Sequence, residues 1–205
     1  MNRTLVTRSA FPALAASLLL IPVVWGQTDG SNAANKTAAT GSTVEFLSPL
    51  APATTVLATT IKTSAPQDLI FSVTTECALW TTVATTGNDV SEARSTVQIQ
   101  VYFDGTPVPV SGSGDDGSVV FCDRLHRQTV TNLDDNDARI KQYLATREAN
   151  GFNWILADVG MGVHTVEVKA TLTTQTVGTE AVAQAGVGHR TLIVEPTHLA
   201  QGFSL

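Results

Sequence analysis

Residues 97–110 read Val-Gln-Ile-Gln-Val-Tyr-Phe-Asp-Gly-Thr-Pro-Val-Pro-Val, and their period decides the fold class. Val97, Ile99, Val101 and Phe103 alternate with Gln98, Gln100 and Tyr102. In an extended chain that alternation places apolar groups on one face and polar groups on the other. Asp104-Gly105 then turns the chain into Thr106 to Val110, because a two-residue type I′ turn needs positive φ at both central positions and Asp-Gly tolerates it. The same alternation recurs in Val166, Val168, Ala170 and Leu172, set against Thr165, Glu167, Lys169 and Thr171. One face is wet, which is the signature of antiparallel pairing. Further strands are expected over Thr55 to Thr63, Asp68 to Glu76, Cys77 to Val83, Ser118 to Cys122, Phe152 to Ala157 and Thr191 to Glu195. The chain holds 30 threonines, whose β-branching suits half-exposed strands.

One segment reads differently. Asp134, Asp135, Asn136 and Asp137 precede Ala138 to Ala149, where Ile140, Tyr143 and Leu144 share a face at helical spacing. Acids in a first turn, Arg147 in the last and Asn150-Gly151 beyond it are agreed start and stop signals. These features predict one helix over about 135–149. The expected architecture is therefore all-β, an antiparallel two-sheet sandwich of the jelly-roll or immunoglobulin-like kind with one inserted helix.

The organisation along the chain has four parts. Residues 1–26 carry Arg3 and Arg8 ahead of an apolar stretch from Ala13 to Val24, which reads as a secretory signal peptide cleaved after Gly26. An uncleaved anchor is the alternative, disfavoured because Pro12 and Pro22 shorten the apolar helix below the ~20 residues that span a bilayer. Residues 27–42 are small, polar and aperiodic, and read as a flexible leader; Asn35-Lys36-Thr37 within it is a glycosylation sequon. Residues 43–200 carry the strand pattern without a linker or repeat and read as a single domain, with 201–205 as a tail. The expected location is secreted or extracytoplasmic, periplasmic in a Gram-negative host.

Charge and cysteines narrow the partners. Beyond the signal segment stand 10 basic residues against 18 acidic ones, a balance that argues against nucleic acid and anionic membrane as partners. Export makes two cysteines legible, since oxidising compartments form disulfides and two cysteines allow one intramolecular bridge. A Cys77–Cys122 disulfide is expected. Phe71, Val73, Leu79, Val120 and Phe121 surround the pair as packed strand residues, which argues against a reactive thiol or a metal pair.

No catalytic signature emerges. The acidic run 134–137 fails the EF-hand pattern, with Ala138 at the fifth position and no Glu at the twelfth; Asp115-Asp116 reads as a solvated turn. His126, His164, His189 and His198 lack the close spacing of paired metal ligands, and no Gly-x-Ser-x-Gly occurs. Neither a metal nor a cofactor is expected. His164 stands in strand phase with Val166 and Val168, as a hydrogen-bonded histidine at a strand start. Glycosidic carboxylate pairs meet in space and not in sequence, and Glu76, Asp123 and Asp158 are the acids that could do so. Two features stand out as candidate ligand-binding groups. Trp80 has opposite parity to Cys77 on the same strand pattern, which turns it outward as a sugar-stacking or partner contact. Asp123, Arg124, Leu125, His126 and Arg127 form the most charged short window, and four of them, Asp123, Arg124, His126 and Arg127, are candidates.

The stretches at 119–124, Phe152-Asn153-Trp154, 162–168 and 190–196 resemble a group of exported β-sandwich proteins, uncharacterised in activity, over roughly residues 55–200. The disposition of strands is also similar to C1q/TNF-like jelly rolls, which are trimeric adhesion or ligand modules. The resemblance implies a fold and no activity. The expected function is a secreted, non-catalytic module that binds carbohydrate or extracellular protein. The rivals are a secreted hydrolase acting on glycans through paired carboxylates, and a self-assembling structural protein in which Thr-rich edges pair into homo-oligomers.

Overall fold

The computed structural model describes residues 36–87, 89–111, 114–131 and 138–198. Within them lie β1 (Thr37–Gly41), β2 (Glu45–Leu47), β3 (Thr54–Thr63), β4 (Gln67–Thr86), β5 (Val90–Phe103), β6 (Thr106–Pro107), β7 (Val119–Thr129), β8 (Arg139–Val159), β9 (Gly162–Val177) and β10 (Val182–Thr197). No helix occurs among the described residues. All strand pairs are antiparallel. Two five-stranded sheets result, β1-β10-β4-β8 with β2 also on β10, and β3-β9-β5-β6 with β7 also on β5. The pairing is nested: first with last (β1 and β2 with β10), then β3 with β9, β4 with β8, and β5 with β7.

The sheets face each other across an apolar layer, as period-two strands with one wet face must. From the first sheet come Leu69, Phe71, Val73, Leu79, Leu192 and Val194, and from the second Ile61, Val97, Ile99, Val101, Val166 and Val168, all buried. Cys77 on β4 and Cys122 on β7 join across this layer in a disulfide, 45 residues apart in sequence. The bridge is thus an inter-sheet tie. A register shift between Val97 and Gln98 opposite β7 leaves Phe121 unpaired, so Phe121 and Cys122 both turn inward. The Asp104-Gly105 turn forms as its sequence dictates, with φ of 49° and 80° and Tyr102↔Pro107, Phe103↔Thr106 as its flanking pairs.

The helix expected over about 135–149 is not formed. Arg139 to Ala149 is strand, paired residue for residue with Glu76 to Thr86 of β4, while residues 134–137 lie outside the described residues. Its residues are good helix formers locally, but β4 presents a twenty-residue backbone edge, and satisfying those amides and carbonyls outweighs intrinsic propensity. Two neighbouring boundaries also differ. The stretches read as strands Asp68 to Glu76 and Cys77 to Val83 are one strand, since no turn residue separates them, and β1 falls inside the stretch read as a leader, where β10 offers an edge to its small residues.

Candidate binding face

Parity along β4 sends Thr75, Cys77, Leu79 and Thr81 into the sandwich and Thr74, Glu76, Ala78, Trp80 and Thr82 to the outer face of the first sheet. The inward disulfide therefore fixes Trp80 as outward. It is half-buried, and its ring lies against Phe46 of β2 at 5.4 Å and 31°. Phe46 reaches it across Gly186 of β10, to which it is paired. A Cβ at Gly186 would lie in ordinary contact with the Trp80 ring and Val44, both at 3.5 Å, and crowd the Glu45 carbonyl oxygen at 3.1 Å. Phe46 is 71% exposed, and Tyr143 of β8, paired to Thr82 on the same face, is 64% exposed. Exposed aromatic rings grouped on one sheet face make this face the candidate for a contact surface.

Four residues along β4 stands Glu76. Here β10 carries a bulge: Val187 pairs with Cys77 and Arg190 with Thr75, leaving Gly188 and His189 together opposite Glu76. Bulges of this kind re-aim side chains. His189 Nδ1 lies 3.0 Å from Glu76 Oε2, and Arg147 of β8 donates from Nη2 to the same oxygen at 2.6 Å and pairs through Nε with Oε1. A Cβ on Gly188 would sit 2.7 Å from Oε2, so a side chain there would push the carboxylate out of its present place. The hydrogen bonds from Arg147 and then His189 hold the Glu76 carboxyl at about 2, against the opposing effect of burial. Arg190, turned inward, donates to the carbonyls of Val56, Thr43 and Gly188 and to Glu45, anchoring the bulge to the chain before and after β2. Beside this cluster opens a groove of about 510 Å³.

A depressed carboxylate contributes stability that is complete above its unfolded value of about 4.5 and lost as pH falls toward 2. The stability of the wild type, from urea melts between pH 6 and pH 2, is expected to fall with a slope that Glu76→Gln reduces over the interval from about 4.5 to 2. Identical slopes would show that the cluster is not formed in solution.

The charged window does not form one patch. Strand parity splits it: Asp123, Leu125 and Arg127 face outward on the second sheet, while Arg124 and His126 turn toward the gap between β7 and β8. Asp123 takes Arg94 at 2.6 and 3.0 Å and the Thr96 hydroxyl at 2.6 Å, and these bonds, Arg94 first, hold its carboxyl below the usual carboxylate range. Arg127 lies 3.9 Å from Glu92. Arg124 bonds Thr146 and donates to the Leu79 carbonyl, and His126 sits between Thr81 and Gln142. These side chains tie neighbouring strands together. Trp80 is on the opposite sheet from Asp123, so the structure does not bring the sequence-derived candidates together.

The three acids weighed for hydrolysis also stand apart. Glu76 is mid-face on the first sheet, Asp123 is on the second, and Asp158 ends β8, its amide donating to Asp68. A carboxylate, imidazole and hydroxyl do line up elsewhere: Asp104 Oδ2 to His164 Nδ1 at 2.8 Å and His164 Nε2 to Thr63 Oγ1 at 3.2 Å. Thr63 is buried and donates its proton to the Gly160 carbonyl at 2.6 Å, which makes this a clasp between turns and not a nucleophile. Asp115 likewise serves its own loop, accepting from the amides of Val110, Ser111 and Gly117.

Phe46 goes unremarked in the sequence reading, which takes Arg147 as a helix-end charge and His189 as a histidine without metal-ligand spacing, and does not join either to Glu76. The one available signal was Gly186-Val187-Gly188, since glycines within a strand pattern mark bulges and close approaches. No protein-family model matches the chain, and no curated protein matches it.

Proposed function

We propose that the protein is an exported, non-catalytic jelly-roll module that binds carbohydrate on the outer face of its first sheet. The observation that carries this reading is the Trp80–Phe46 pair, a half-buried indole with an exposed phenyl ring against it, and the exposed Tyr143 on the same sheet face. Sugar rings present apolar C–H faces edged by hydroxyls, which match an aromatic surface bordered by hydrogen-bonding groups. The disulfide is compatible with an extracytoplasmic location. The nested pairing, counting β1 and β2 as one strand and setting β6 aside, supports a jelly roll over an immunoglobulin-like arrangement.

The test is retention of the full chain on insoluble cellulose, xylan and chitin. The wild type is expected to be retained by at least one of them, and Trp80→Ala to lose retention while its melting temperature shifts by no more than about 2 °C. Equal retention of both proteins would overturn the reading.

A second reading, self-assembly, is favoured by the outer edge of β8, on which no strand pairs among the described residues. This 21-residue strand borders the first sheet, and Arg139 to Ala149 is exposed on both faces. Arg139, Lys141 and Arg147 along it are the kind of charge that discourages edge pairing, so light scattering on the full chain is expected to give a monomer; a dimer or larger would favour this second reading.

A further inference from the structure

Trp80 and Glu76 share the outer face of β4, four residues or about 13 Å apart, with only Ala78 between them on that strand. Ala78 is flanked in register by Gly186 on β10 and Arg147 on β8, and Arg147 is drawn aside onto Glu76. Val44 stands at the rim of this stretch, its Cγ1 within 3.5 Å of where a Cβ on Gly186 would lie. The groove itself is lined by hydroxyl side chains, Thr40, Ser42, Thr74 and Thr191, beside Glu76 and His189. The charged groups are already paired before any ligand arrives. That pairing lowers the ordering cost of binding and cancels the local charge.

We infer that this groove is a second subsite for a neutral, extended glycan, whose chain stacks on Trp80 and Phe46 and runs along β4 to hydrogen-bond the Glu76–Arg147–His189 cluster. The inference rests on the carbohydrate reading above and deepens it to a ligand class. His189 is held through Nδ1 while its side chain remains 71% exposed, which leaves the second ring nitrogen for a sugar hydroxyl. The carboxylate oxygens keep lone pairs, and the Arg147 guanidinium keeps N–H groups not spent on Glu76. A polyanionic glycan is disfavoured by the excess of 18 acidic over 12 basic residues in the chain, and the Arg147 guanidinium that could attract it is already paired with Glu76. Gly188 lies directly beside the carboxylate, where a Cβ would come within 2.7 Å of Glu76 Oε2 and displace that side chain.

The experiment is calorimetric titration of the full chain with cello-, xylo- and chito-oligosaccharides of two to six sugars, alongside polygalacturonate. In the series that binds, affinity is expected to tighten with length until the chain spans both subsites. Glu76→Gln and Arg147→Gln are each expected to weaken the hexasaccharide about tenfold, the size of one lost hydrogen bond to a charged group, and to leave the disaccharide unchanged. Trp80→Ala is expected to weaken both. Thermal melts establish that each variant is folded at the titration temperature, and if Glu76→Gln is not, Arg147→Gln decides. Hexasaccharide binding no tighter than disaccharide binding, or insensitive to both substitutions while Trp80→Ala still abolishes it, overturns the second subsite and leaves the aromatic face standing. Tighter binding of polygalacturonate than of every neutral chain overturns the ligand class. Absence of binding to every sugar overturns the carbohydrate reading and the subsite with it.

Discussion

Replacing Cys77 and Cys122 together with serine is expected to lower the unfolding free energy by about 4 kcal/mol, the chain entropy released when a closed loop of 45 residues is freed in the unfolded state. For a domain of this length that corresponds to a melting temperature lower by roughly 10 °C. The loss is a large share of the about 5–15 kcal/mol that holds an ordinary domain together. Its consequence reaches the outer face of the first sheet, because Cys77 neighbours Glu76 on β4 and its inward anchoring keeps Glu76 and Trp80 outward. Urea melts of the wild type with and without reductant, beside the double-serine variant, measure the effect. A fall below about 1 kcal/mol would mean that the unfolded chain already holds β4 near β7, and the loop-closure account would fail.

How much of this was legible in the sequence depends on whether a strand buries one face. β5 and β9 do, and Val97 to Phe103 and Val166 to Leu172 announce themselves by alternation that the structure reproduces. The disulfide followed from counting, and the outward face of Trp80 followed from its parity against Cys77. Arg139 to Ala149 buries neither face, so nothing in its pattern records a strand; it is held by a backbone ladder to β4, a non-local cause that local propensity cannot report. Asp123 to Arg127 was legible as charged, but a strand distributes successive residues to opposite faces, and one window became two sets of inter-strand ties. The Glu76–His189 contact joins residues 113 apart through an irregular register. No spacing rule reaches that far.

Trp154→Ala is expected to cost about 3–5 kcal/mol, the range for removing a large buried aromatic side chain and leaving its cavity. Trp154 is 1% exposed, stacks on Phe121 at 6.3 Å and meets Phe152 edge-on at 4.9 Å. Its indole Nε1 also donates to the Gly117 carbonyl at 2.8 Å, so volume and hydrogen bond can be separated. Trp154→Phe keeps most of the packing and leaves that buried carbonyl unpaired, which predicts a smaller loss of about 1–3 kcal/mol. The carbonyl belongs to a backbone that has no freedom to turn elsewhere. Gly117 has φ of 69°, and a Cβ there would fall 1.8 Å from the Val108 carbonyl oxygen, while Asp115 pins the amides on either side of the turn. Urea melts followed by far-ultraviolet circular dichroism test both substitutions. A Trp154→Phe loss equal to that of Trp154→Ala would assign the whole effect to the hydrogen bond, and a loss near zero would assign it to packing against Phe121 and Phe152.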